Sequence, residues 1–401
     1  MAYAKETLRF QTSKIIALLY SMILIIELHP YFLWNNNNVF RIISLVLFVV
    51  ILKYLYGRNI DKSNWTLFMY IFAALLYFQI LNMDKLFFIN TIIILFLLLD
   101  KETKKLVFLY FYNAFIFTLI PGILLYLLIF LGFDIGWSSL EPNHGLKSEW
   151  GHYYRNYYGL IILDSQIFPT SFGEVFRFSA IYDEPGRVGT MVALLLAATK
   201  FQLNTWKSKI LLISGILSFS LAFFSLMFVF YLVKKPIKSF LILLIFIMSI
   251  MYMSQNSIDS PFIEKYIVER ISLAVSDPEA VNNRVNDEFT TAYINFLNSG
   301  NIMIGNGKNA YLLLKAGVST YKTLFYDYGL IGCLLIFLIY LFLTVFFVNT
   351  LNQFISIIPF LFVFTANIFQ RPDVFTLNFF IIFIGALLYN QNIQRKIYYR
   401  T

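Results

Sequence analysis

Apolar runs separated by short polar breaks cover most of this chain. They are Ile15–Leu33, Ile42–Tyr56, Trp65–Leu81, Leu86–Leu99, Leu106–Phe133, Val188–Leu203, Ile210–Val233, Ile237–Met253, Thr323–Val348, Phe354–Phe369 and Val374–Tyr389. Several reach the ~18–20 residues a helix needs to cross a bilayer. The pattern predicts an all-α polytopic membrane protein with about 11–12 transmembrane helices, since a membrane β-barrel would alternate in segments of about 10 residues. Two polar segments interrupt it, Asp134–Pro185 and Ser254–Lys322. Loops beyond about 12–15 residues are usually functional or disordered. Both hold aromatic and aliphatic residues ("YRNYYGLIIL", "FIEKYIVERISLAV"), which predicts partial order against the membrane. The second includes a short interfacial helix at "PFIEKYIVERISLAV" by its helical spacing. The resulting organisation is 1–133 (first helices), 134–185 (first loop), 186–253 (central helices), 254–322 (second loop), 323–390 (last helices) and a basic tail at 391–401.

Composition agrees: of 401 residues, 59% are hydrophobic and 13% charged, where a soluble chain has about 25% charged. The segment Ile15–Leu28 lacks a small-residue cleavage site and reads as a retained first helix. The single cysteine, Cys333, sits in a predicted span, so neither an intramolecular disulfide nor a thiolate metal cluster is available. The net charge of +9 is read as loop charge on the cytoplasmic side and not as a nucleic-acid surface.

Orientation follows from the lysines and arginines. Lys5, Arg9 and Lys14 place the N-terminus inside, Lys53, Arg58, Lys62 and "DKETKK" (100–105) follow inside, and the first polar loop falls outside. A single pass through Ile210–Val233 would then put Lys234, Lys235 and the basic tail outside. That run holds Ser214, Gly215, Ser218, Ser220 and Ser225, the polar punctuation of a broken or re-entrant helix, which is tolerated where backbone lines a cavity. A re-entrant hairpin or two short tilted helices returns the chain inside and puts both long loops on the outer face.

Candidate chemistry concentrates in "RFSAIYDEPGRVGT". Asp183, Glu184 and Pro185 suit a helix start, but Arg187, a cation in the first turn, opposes the helix dipole. An arginine at a lipid–water boundary binds diphosphate in bidentate fashion, and a neighbouring carboxylate can act as base toward a hydroxyl. Arg177, Asp183, Glu184 and Arg187 are thus either a helix cap with an anchor or a substrate site, and residue types alone weigh the two evenly. Arg284 opens a second polar stretch that ends in the turn Gly305-Asn306-Gly307, followed by Lys308. "GNGK" is no phosphate-binding P-loop, lacking the upstream glycine and the following Ser or Thr. His29, His144 and His152 have no metal-ligand spacing, so no metal or cofactor is expected. Few charges lie inside the spans, which speaks against an ion-coupled pump.

Three elements, in order, resemble the bacterial O-antigen and capsule repeat-unit polymerases (Wzy-type) and the related O-antigen ligases. "RFSAIYDEPGRVG" is similar to the family's R-x-x-G-x-[FY]-x-E-P pattern, with Ala180 in place of its glycine. "LSFSLAFFSLMF" resembles its Ser-rich helix, without the arginine that often follows. Arg284, Gly305, Gly307 and then "YGLIG" (Gly329, Gly332) resemble its outer loop and Gly-Leu-x-Gly span. "VSTYK" stands where ligases have a histidine, which favours polymerase over ligase. The resemblance covers Phe176 to the C-terminus. It implies a fold like that of GT-C membrane glycosyltransferases in the bacterial cytoplasmic membrane, acting on undecaprenyl-diphosphate-linked oligosaccharide. Further partners would be a flippase and a chain-length regulator. By the same resemblance Arg177, Arg284 and Glu184 are catalytic, while Arg187, Asp183, Lys308, Tyr321 and Lys322 bind substrate. The competing functions are an O-antigen ligase and a lipid-linked oligosaccharide flippase.

Overall fold

The computed structural model describes residues 2–34, 36–56, 62–82, 88–142, 151–169, 173–237, 287–314, 320–371 and 376–398. The predicted span Ile237–Met253 beyond its first residue, the interfacial helix from Pro261, His144 and Arg284 lie outside these residues. The protein is mostly helical. Five helices are long and apolar enough to cross a membrane, at Phe10–Glu27, Asn38–Leu55, Lys101–Phe130, Tyr321–Phe347 and Leu351–Gln370. Pro185–Ala198, Leu221–Lys234 and Leu377–Asn390 are apolar but shorter.

The chain divides into two compact units, residues 1–27, 38–111 and 283–401 in one, and 28–37 and 112–282 in the other. In the first, α1 (Ala2–Glu27), α2 (Asn37–Leu55), α3 (Lys62–Asn82), α4 (Phe88–Leu98) and the start of α5 (Lys101–Phe130) join α9 (Asp287–Leu297), α10 (Tyr321–Phe347), α11 (Leu351–Gln370) and α12 (Leu377–Tyr398). Helix α12 packs on α1, α4, α10 and α11. Its residues Leu377 to Leu388 are apolar on nearly every face and buried, as a helix surrounded by others must be. Glu27 secures its start. The carboxylate accepts from the backbone N–H groups of Leu377 (3.0 Å) and Asn378 (2.9 Å) and from the Asn378 side chain (2.7 Å), so donors left over by the first helical turn find a charged acceptor.

The run "DKETKK" is the capped beginning of α5 and not a solvated loop. Asp100 accepts from the Thr103 N–H (2.8 Å) and from the Tyr54 hydroxyl. Lys104 is fully buried, donating to Asn64 Oδ1 (3.1 Å) with its ammonium 5.6 Å from the Phe347 ring centroid.

Helix α10 breaks at Gly329, whose φ is 62°. The turn Gly305-Asn306-Gly307 docks against this break. Asn306 N–H donates to the Tyr326 carbonyl (3.0 Å) and Gly307 N–H to that of Asp327 (2.9 Å), while the Asp327 carboxylate accepts from Asn309 N–H (2.7 Å). Gly305 (φ 88°) lies so close that an added Cβ would stand 2.3 Å from the Asp327 carbonyl oxygen. The glycine spacing thus serves a backbone-to-backbone contact.

In the second unit the first polar segment contains two small antiparallel sheets, an addition to the all-α expectation. Strands β1 (Ser138–Leu140), β2 (Tyr154–Asn156) and β3 (Ile161–Leu163) form one, β4 (Ile167–Pro169) and β5 (Glu174–Phe176) the other. One face of the first sheet buries Tyr154 and Ile161 against Trp34. The other carries Arg155, paired with Glu174 at 3.0 Å. Helices α6 (Pro185–Ala198), α7 (Trp206–Leu217) and α8 (Leu221–Lys234) follow.

Gly305→Ala is expected to destabilise the protein by about 2–3 kcal/mol, because both the positive φ and the missing space penalise a side chain. Thermal unfolding in detergent measures this, and an unchanged midpoint would contradict the packed-turn account.

Candidate functional site

The stretch from Arg177 to Arg187 is held at nearly every step. Phe178 N–H donates to the Leu217 carbonyl (2.9 Å), and Arg177 Nε to that of Ser218 (3.3 Å). Ser179 Oγ donates to the Ile161 carbonyl (2.6 Å), while Ile161 N–H donates to that of Ala180 (2.8 Å). A turn closes from Tyr182 N–H to the Ser179 carbonyl (3.0 Å). Ala180 in this turn has a φ of 51°, the left-handed region that favours glycine. Tyr182 bonds Thr118 through its hydroxyl (2.7 Å) and stacks on Phe115.

Glu184 is the N-cap of α6 in extended conformation and Pro185 its first helical residue. The cap reading holds for the backbone: the Glu184 carbonyl accepts from Arg187 N–H (3.1 Å). The Glu184 side chain makes no capping hydrogen bond and is half-buried. Asp183 is 4% exposed, and its Oδ1 lies 3.3 Å from Arg187 Nε, one helical turn on. The ion pair offsets the unfavourable position of a cation in a first turn. Thr190, on the same side of the helix as Arg187, is buried and its hydroxyl has no hydrogen-bond partner among the described residues.

The Ser-rich run is a helical hairpin. Helices α7 and α8, of 12 and 14 residues, meet at Ser218-Phe219-Ser220, where Phe219 has a φ of 43°. Ser214 and Ser218 donate to their own helix, at the carbonyls of Ile210 (2.9 Å) and Gly215 (2.7 Å), so these hydroxyls stabilise a turn among apolar side chains. Helix α6 rides on this turn through Gly189, where an added Cβ would lie 2.5 Å from Ser220 Cβ. The hairpin tip and the start of α6 are therefore one packed assembly, with Arg177 bonded to the tip.

From the sequence Tyr154 reads, with Tyr153, Tyr157 and Tyr158, as a membrane-interface or sugar-stacking tyrosine; its place beside Asp183, whose carbonyl accepts from its hydroxyl (2.8 Å), was missed. Burial, and then the neighbouring Asp183 and Glu184 charges, push this phenol well above its ordinary pKa, so it stays a protonated donor. In "YYRNY" strand geometry buries Tyr154 and Asn156 and leaves Tyr153 and Arg155 partly exposed, a split that the polarity of these residues does not mark.

The remaining predicted residues belong to the other unit. Lys308 is half-buried in the glycine turn. Tyr321, the first residue of α10, is 43% exposed and lines an apolar cavity of about 380 Å³ with Tyr293, Leu324, Phe325, Cys333 and Phe369. Lys322 Nζ lies 5.6 Å from the Tyr293 ring centroid. Among the described residues no group of three His, Cys, Asp or Glu side chains is placed to hold a metal. Compared with protein-family models, with curated proteins and with solved structures, the chain matches none.

Ala180→Gly should leave stability within about 1 kcal/mol of wild type, relief at positive φ offsetting a lost buried methyl. Ala180→Leu should cost more than about 3 kcal/mol. Melting curves of the two variants decide; equal loss in both would contradict the turn geometry.

Proposed function

We propose that this protein is a membrane glycosyltransferase that polymerises polyprenyl-diphosphate-linked oligosaccharide repeat units, on the outer face of a bacterial cytoplasmic membrane. The observation that carries the reading is the pinned segment Arg177–Arg187, which brings two guanidinium groups and two carboxylates to the junction of three short helices. Helix α6 has 14 residues and rises about 21 Å, against a hydrocarbon layer of about 30 Å. With Lys200, Lys207 and Lys234 at the inner boundary, its charged start lies roughly 9 Å below the outer one. A lipid-linked diphosphate, which emerges from hydrocarbon, meets charged groups at such a depth. The α7–α8 hairpin is then the re-entrant element that returns the chain inside, within a GT-C-like set of about 11–12 spans.

In this reading the hydroxyl of an acceptor sugar attacks the anomeric carbon of the donor. A new C–O bond forms and the bond to the diphosphate breaks. The hydroxyl proton passes to Glu184, the more accessible carboxylate, while Arg177, Arg187 and Arg284 stabilise the charge developing on the departing diphosphate. Asp183 orients Arg187 and is the less accessible of the pair. Lys308, Tyr321 and Lys322 serve the binding of the second lipid-linked unit.

The test is elongation of a lipid-linked repeat unit by the purified protein. Glu184→Gln and Arg284→Ala should each lower the rate by about 10²–10³-fold, with melting temperature preserved. Full activity in both would overturn the reading. Transfer to a lipid A core in place of a second repeat unit would identify a ligase.

A further inference from the structure

The three-helix group has a second end, opposite the charged start of α6. Helix α6 runs from the hairpin tip toward Lys200, α7 starts from Lys207 and Lys209, and α8 finishes at Lys234 and Lys235. Five lysines thus lie at or next to these helix ends, Lys207 donating to Asn113 Oδ1 (2.6 Å), while residues 185–237 contain no Asp or Glu. Lys200 (φ 59°) and Phe201 (φ 53°) reverse the chain after α6 through two consecutive left-handed residues. Lys234 Nζ donates to the Lys200 carbonyl (3.3 Å), which holds two cationic side chains on one turn. The floor is aromatic: Phe201 packs edge-on against Tyr231 at 5.2 Å, and the Lys234 ammonium lies 5.2 Å from the Phe230 ring centroid. Trp206, the first residue of α7, is exposed and packs edge-on against Phe117 at 6.3 Å, as in the aromatic and basic girdles of membrane interfaces. Half-burial, and then the Lys234 charge, depress the Lys200 ammonium below its ordinary pKa. An anion placed between the two lysines removes that strain.

A lysine near a helix C-terminus ordinarily caps carbonyls, and Lys234 does so. That role explains one lysine and leaves Lys200, half-buried beside a like charge, without a reason. We infer that the lysine end of this three-helix group holds the headgroup of an anionic phospholipid, its phosphate between Lys200 and Lys234. The site stands apart from the charged start of α6 and does not depend on the proposed transferase activity.

Full-length protein purified in detergent is examined by native mass spectrometry with phosphatidylglycerol or phosphatidylcholine, and by melting in nanodiscs with and without phosphatidylglycerol. Wild type should retain phosphatidylglycerol at least fivefold over phosphatidylcholine and melt several degrees higher in its presence; each basic group near an anionic surface contributes about fivefold. Lys200→Gln and Lys234→Gln should each lose most of this preference, Lys200→Arg and Lys234→Arg should keep it, and Lys101→Gln, an exposed lysine of the other unit, should not change it. Because Lys234 is exposed, its Gln variant tests the site even where Lys200→Gln fails to fold. Undiminished retention in Lys234→Gln, or equal stabilisation by inorganic phosphate alone, would overturn the proposal.

Discussion

A helix of 12–14 residues cannot cross a hydrocarbon layer of about 30 Å, and the second unit is built from three of them. Each leaves backbone donors and acceptors at its ends that need partners inside the protein. Much of the architecture near Arg177 answers this requirement. The Leu217 and Ser218 carbonyls at the end of α7 accept from Phe178 and Arg177. The Glu184 carbonyl takes the first N–H groups of α6. Gly189 lets α6 approach the hairpin turn within a distance no side chain would permit. The polar cluster and the helix packing are the same set of contacts, so the charged groups are fixed before any ligand arrives.

The period of apolar residues made the helices legible, because burial imposes it directly. The break at Ser218–Ser220 was visible too, since serines recur there inside an otherwise apolar run. What the sequence could not reveal depends on contacts between distant residues. Nothing in "DKETKK" separates Lys104 from Lys105, yet one is buried against Asn64 while the other is partly exposed. The four tyrosines at 153, 154, 157 and 158 look alike in the chain. Strand pairing makes Tyr154 a buried partner of Asp183 and leaves Tyr158 exposed. The left-handed conformation of Ala180 is hidden for a related reason: alanine gives no hint of it, and it goes with ties to the distant Ile161 and Leu217 and a turn closed by Tyr182.

The site residues divide along the same line. Arg177, Asp183, Glu184 and Arg187 are neighbours in sequence, so a local motif could find them and the fold then brings the hairpin tip to them. Thr190 and Tyr154 join through helix and strand geometry and carry no motif. Lys308, Tyr321 and Lys322 belong to the other unit, and no local motif joins them to the first group.

The charge balance of the first group bears on the proposed reaction. Arg177 and Arg187 carry two positive charges, Asp183 and Glu184 two negative ones, and the segment sums to zero. Asp183 already pairs with Arg187, and burying an ion pair consumes much of the attraction it could offer a ligand. A departing diphosphate would therefore find too little net positive potential in this segment alone. In the proposed reaction, protonation of Glu184 by the acceptor hydroxyl would change the sum by one charge, at the moment the leaving group acquires its own. The remaining charge has to come from cations outside the segment, and they must act singly, because the second polar segment Ser254–Lys322 balances six Lys and Arg against seven Asp and Glu. Catalysis of the proposed kind thus needs positive charge beyond this segment, which itself supplies the base and the fixed geometry.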